Sequence, residues 1–151
     1  MGNFQYLSIA LGVFLLDRVS KLLITFGRQR GTSILSRDGF FSLKYVENTG
    51  GAFGLFPRKG FVFLVVTLLA IGLIVYLLFF SSLRRDLTNV GLALILGGSL
   101  GNLLDRVIFG GVVDFIQIWR TPIFNLADVA IVCGSGLIIF VLAGGQRLIA
   151  S

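Results

Sequence analysis

The 151-residue chain has no histidine, one cysteine and two prolines. Without imidazole, the commonest general base and the commonest metal ligand are missing together, and a serine, histidine and aspartate triad is excluded. A zinc centre would have to be built almost wholly from carboxylates, which suit that metal poorly, so neither a metal nor a cofactor is expected. The lone Cys133 cannot close an intrachain disulfide and sits inside an apolar run, where it reads as core packing. Pro57 and Pro122 both fall between the long apolar runs and leave them uninterrupted as helices. Charge is scarce: 13% of residues are charged and 56% hydrophobic, with a mean hydropathy of +0.96, against about a quarter charged in soluble domains. Lipid is the implied solvent. The net charge of +6 comes from scattered basic residues without interleaved exposed aromatics, so membrane lipid headgroups, not nucleic acid, are the expected counter-charge.

Apolar runs occupy residues 4–26, 60–80, 88–109 and 126–143, each long enough to span a bilayer. The first carries Asp17, Arg18 and Lys21 and lacks both a basic leader region and a small-residue cleavage site, so it reads as a span and not a cleaved signal. In the first long connection, residues 40–47 (FFSLKYVE) alternate partly with period two. Asn48, Thr49, Gly50, Gly51 and another short apolar run follow, which predicts a small hairpin at the interface. Residues 112–119 form a second extended stretch before Pro122, and Asn125 stands where the cap of the last helix belongs. The expected fold is an all-α membrane protein, one domain over 1–151, with four transmembrane helices and a small β element from the two loops.

Polar residues gather at one end of these spans. Asp17 and Lys21 lie about 13 Å and about 7–8 Å from the end of the first run, and Asn102, Asp105 and Arg106 within about 10 Å of the end of the third. Asp128 opens the fourth. Helices alternate in direction, so all of these lie on one side, and residues 81–86 and the termini offer no comparable cluster. A charge at bilayer depth costs at least about 2.5–3.5 kcal/mol, so a layer of them marks a site; alternatively Asp17 and Lys21, at i and i+4, only neutralise each other. Asn102, Asp105 and Arg106 share a helix face, while Gly97 and Gly101 let a neighbouring backbone come close. Interhelical hydrogen bonding or snorkelling is the plainer role for Asn102 and Arg106.

Asp114 alternates with Val112, Ile116 and Ile118, and a short connection returns the chain to Asp128 on the same side. Two carboxyls that meet cannot both ionise, and the shared proton makes one acid and one base, as in an aspartyl peptidase. The alternative is that one caps the helix while the other is exposed in the loop. A transporter or channel subunit using Asp17, Lys21, Asp105 and Arg106 is the rival function, although its polar groups would stop at one side; a structural role is a further alternative. A serine and lysine peptidase is disfavoured, because Ser20 points about 100° away from Lys21 and Ser99 has no identifiable partner.

The segments FLLDRVSK (14–21), ENTGGAFG (47–54), GGSLGNLLDR (97–106), GGVVDFI (110–116) and FNLADVAI (124–131) resemble, in order, the motifs of the prolipoprotein signal peptidase (signal peptidase II) family. The resemblance implies an aspartic endopeptidase of the bacterial inner membrane, with its active site toward the outer face, that cuts before a diacylglyceryl-modified cysteine. It implies Asp114 and Asp128 as the catalytic pair, Asn48, Asn102, Arg106 and Asn125 as substrate-pocket residues, and Asp17 and Lys21 as a supporting pair; Asp105 is read as supporting the same layer. Expected partners are diacylglyceryl-prolipoprotein substrates and membrane lipids, with the chain itself a monomer and its outer loops forming a small cradling sheet. The run between Asp114 and Asp128 is shorter than in several family members, so a different pocket rim is expected. The implied orientation, termini inward, exports Arg28, Arg30, Arg37, Lys44, Arg58 and Lys59 while Arg84, Arg85 and Arg147 stay inside; the positive-inside rule alone would invert it. The family orientation is followed here, with the loop cations read as headgroup contacts.

Overall fold

In a computed structural model of the chain, residues 3–27, 33–37, 40–49, 60–80 and 86–144 are described. The order is α1 (Asn3–Phe26), β1 (Ser33–Arg37), β2 (Phe41–Asn48), α2 (Gly60–Phe80), α3 (Asp86–Phe109), β3 (Val112–Ile118) and α4 (Leu126–Leu142). Each helix coincides with an apolar run to within two residues. α2 and α3 are long and apolar enough to cross a membrane; α1, as long as α3 at 24 residues, carries three charges, and α4 has 17 residues, a rise of about 25 Å. α3 starts at Asp86, earlier than expected, with that carboxylate in its first turn, where the helix dipole favours it. Tyr6 Oη donates to Asp86 Oδ1 at 2.6 Å, a polar tie between α1 and α3 at the end where no comparable cluster was expected.

α3 packs against each of the other three helices, and its small residues allow it. A Cβ on Gly97 would run into the Ala10 carbonyl and Val13, and one on Gly101 into the Asp17 carboxylate, so both glycines seat α1. Gly91 meets Gly134 of α4, where a Cβ would lie 2.8 Å from the Gly134 carbonyl oxygen. Tyr6, Ala10, Ile74, Leu78, Leu92, Ala93 and Leu96 make the apolar core where α1, α2 and α3 meet. The outer surface inverts the soluble pattern: Phe61, Leu69 and Phe80 of α2 are more than 70% exposed, while Asp17 and Asp105 are at most 1% exposed. Helices clad in apolar side chains around a charged interior are solvated by hydrocarbon, and there close packing, not exclusion of water, holds them together.

The three strands form one antiparallel sheet in the order β1-β2-β3. β1, upstream, is a hairpin partner of β2; the apolar run after Gly51 lies outside the described residues. Gly110, at φ 73°, donates its N–H to Arg106 O at 3.1 Å and ends α3 in the left-handed conformation that suits glycine. β3 then pairs along β2 from Asn48↔Val112 to Phe41↔Ile118. It stops one residue short of the expected 119, because Trp119 takes φ 50° and turns the chain. The amides of Phe115 and Ile116 both donate to Phe124 O, at 3.0 and 2.8 Å. That bridge brings Asn125 and the start of α4 against Asp114.

Candidate active site

Asp114 is 3% exposed. Val112, Val113 and Phe115 are buried too, so the strand is covered on both faces here and simple alternation fails. Its Oδ1 accepts from Asn125 Nδ2 at 2.7 Å and its Oδ2 from Asn48 Nδ2 at 2.9 Å. Asp128, half-buried, accepts from Asn102 Nδ2 at 2.8 Å on Oδ1 and from the Asn125 amide at 3.3 Å on Oδ2. Asn125 Oδ1 accepts the Asp128 amide at 2.9 Å in return, a capping box built with asparagine and aspartate that satisfies two otherwise unpaired donors. One carboxylate therefore does cap α4, but the other is enclosed and not exposed in a loop.

The amides join these carboxylates into one network. Asn125, fully buried, also points Nδ2 at Asn102 Oδ1 (3.1 Å) and Val113 O (3.3 Å), and Asn102 Oδ1 accepts from Lys21 Nζ at 3.0 Å. Burial pushes the Asp114 carboxyl up to about 6, the negative charge of Asp128 adding to the effect while hydrogen bonds from Asn48 and Asn125 oppose it. An enclosed carboxyl that keeps its proton near neutrality, beside another that caps a helix, can activate water with one oxygen and protonate a leaving group with another.

Behind them lies a neutral cluster of two carboxylates and two cations. Lys21 Nζ is 2.9 Å from Asp17 Oδ2 and 2.8 Å from Asp105 Oδ2; Arg18 is 3.0 Å from Asp17 Oδ2 and 2.6 Å from Asp105 Oδ1. Asp17 and Lys21 are thus half of a larger unit and do not merely neutralise each other. Arg18 was not expected to belong to it: as the immediate neighbour of Asp17 it should point elsewhere around α1. The available signal was that a mid-span arginine needs a carboxylate and Asp105, in the same polar layer, needs a cation. Ser20 Oγ donates to Asp17 O at 2.8 Å and takes no part with Lys21. Arg106 is half-buried and donates to Asn102 O at 3.2 Å; among the described residues it pairs with no carboxylate.

Asp128 also lines an apolar groove of about 370 Å³ formed with Thr121, Pro122, Phe124, Val129, Val132 and Cys133. Cys133 is exposed, not core, because it falls on the outer face of α4. Among the described residues no group of three or more carboxylates or cysteines is placed to hold a metal ion.

A family model described as signal peptidase (SPase) II matches residues 9–143. The lipoprotein signal peptidase of Moorella thermoacetica is 45% identical over 129 residues, covering 85% of this chain and 86% of that protein. That of Symbiobacterium thermophilum is 39% identical over 147 residues, covering 93% and 97%. Two solved structures, each described as a bacterial membrane enzyme, are also similar. The first has a TM-score of 0.87 at 31% identity, covering 94% of this chain and 89% of that one; the second has 0.82 at 32%, covering 91% and 92%.

Proposed function

The chain belongs to the signal peptidase II family, and on that premise we propose that it removes the signal peptide from prolipoproteins, with Asp114 and Asp128 as its catalytic carboxylates. The observation that carries the assignment is the pair of carboxylates tied together through Asn102 and Asn125. Asp128, which the first turn of α4 favours as the anion, takes a proton from water as the oxygen attacks the scissile carbonyl. Asp114, which holds its proton up to about pH 6, gives it to the amide nitrogen as the carbon–nitrogen bond breaks. In this reading Arg106, which pairs with no carboxylate among the described residues, and Asn48, beside Asp114, hold the substrate backbone. The apolar groove beside Asp128 suits a substrate delivered from lipid, whose new N-terminal cysteine carries diacylglycerol.

All four helices cross the bacterial inner membrane in this reading, and the sheet and carboxylates lie at its outer face, where exported precursors arrive. The rival transporter would need a polar path through the bundle, whereas the charge cluster lies at the carboxylate end and the opposite end holds a tie of Tyr6 with Asp86. A reporter fused after Ser151 should be cytoplasmic and one inserted at Arg37 external; the opposite pattern would mean that the positive-inside rule prevailed over the family orientation. The direct test is purified protein with a diacylglyceryl-modified prolipoprotein. Cleavage immediately before the modified cysteine, unaffected by EDTA, is expected. Loss of cleavage in EDTA that zinc restores would refute a mechanism resting on two carboxyls.

A further inference from the structure

The two carboxylates of the charge cluster each hold a backbone amide that adjoins a catalytic residue. Asp105 Oδ2 accepts Val113 N–H at 3.2 Å, next to Asp114, and Asp17 Oδ1 accepts Ala127 N–H at 3.1 Å, next to Asp128. What holds Asp17 and Asp105 therefore sets the spacing of Asp114 and Asp128. Lys21 is committed three ways, to Asp17, Asp105 and Asn102, which uses all three donors of an ammonium. Arg18 supplies the rest: Nη1 to Asp105, and Nη2 to Asp17 and to the Gly101 carbonyl at 3.1 Å. Its Nε is buried without a partner among the described residues, so the contacts described for the guanidinium all run through its two Nη groups.

We propose that Arg18 is a positioning residue for the peptidase reaction: it clamps Asp17 and Asp105 so that they fix Ala127 and Val113, and through them the two catalytic carboxyls. The inference rests on the peptidase reading above. Without Arg18 two buried carboxylates share one cation, and breaking such a set leaves an uncompensated charge. Lys21 is then drawn away from Asn102, or one carboxylate turns from its amide, and either change shifts Asp114 against Asp128. Lysine is a poor substitute, because the contacts need a planar fork reaching two carboxylates and a carbonyl at once.

The test compares full-length wild type, Arg18→Gln, Arg18→Lys and Arg18→Gln/Asp105→Asn on the same lipid-modified precursor, with melting temperature and amide exchange followed together. Misplacement by about 1 Å costs on the order of 10²-fold in rate, so kcat should fall by roughly 10- to 100-fold in Arg18→Gln, and by less in Arg18→Lys, with KM nearly unchanged. The double variant restores charge balance and leaves an acceptor for Val113 N–H, so it should recover part of the loss. Val113 and Ala127 amides should exchange faster in Arg18→Gln while the α2 amides do not. If Arg18→Gln does not fold, a smaller kcat loss, still at constant KM, is expected in Arg18→Lys. Folded variants with wild-type kcat, or a loss confined to KM, would overturn the inference alone. A wild-type protein that cleaves no precursor would overturn the peptidase reading and the inference with it.

Discussion

Asp114→Asn, Asp128→Asn and the double variant should each lose about 10⁴-fold or more in cleavage rate, with the double scarcely worse than either single, because groups that act as a unit lose their function together. Independent roles would instead multiply the two losses. The wild-type pH profile should show two apparent pKa values belonging to the pair. With Asp114 raised to about 6, the one-proton form is depleted as pH rises through that value, so kcat should decline on the alkaline side. Stability carries the same signature. An aspartate at its ordinary value of 3.8 in the unfolded chain and about 6 in the folded one binds more protons when folded, so stability falls as pH rises between these values. Asp114→Asn lacks that dependence, and its melting temperature relative to wild type should climb from pH 4 to pH 7. A flat difference would show that Asp114 titrates normally; substantial turnover by a folded single variant would remove that residue from the mechanism.

Asn125→Ala should come next in severity. The residue is fully buried, caps α4 through Oδ1 and reaches Asp114, Asn102 and Val113 through Nδ2. Losing the cap costs about 0.5–2 kcal/mol. Losing the amide releases Asp114 Oδ1 and one partner of Asn102 together, and a rate loss of roughly 10²-fold or more follows from the misplacement. Asn125→Ser separates the two effects, because serine caps a helix comparably but cannot reach Asp114. Its melting temperature should lie near wild type while its rate stays as low as that of alanine. Near-normal cleavage by Asn125→Ser would confine the residue to capping.

The sequence carried the helices and the side of the bundle on which polar residues meet, because unbroken apolar runs and charges too costly to scatter are local signals. Asn125 was readable as a cap for the same reason. The pairing of β2 with β1 was not, since alternation defines a strand without naming its neighbour. Asp114 sits on β3 between β2 and a returning loop, so its enclosure depends on the Phe124 bridge, a contact invisible in its own flanking residues. Arg18 was hidden because helical geometry separates it from Asp17 and Lys21, whereas its long side chain can bend back to Asp17 and reach Asp105 across the helix contact. Cys133 was misjudged because an apolar run in a membrane protein faces outward as readily as inward.

The charge cluster also bears on how the chain is made. α1 precedes α3 in the chain and carries one anion, Asp17, against two cations, Arg18 and Lys21; Asp105 arrives only with α3. If the helices cross the bilayer as proposed, α1 waits with an unmatched positive charge while more than eighty further residues are synthesised, each buried charge costing at least about 2.5 kcal/mol in that position. On that reading α1 is not electrostatically self-sufficient when it inserts. Its charges are matched when the third helix brings Asp105, so the network proposed to space Asp114 and Asp128 would also complete the insertion of α1.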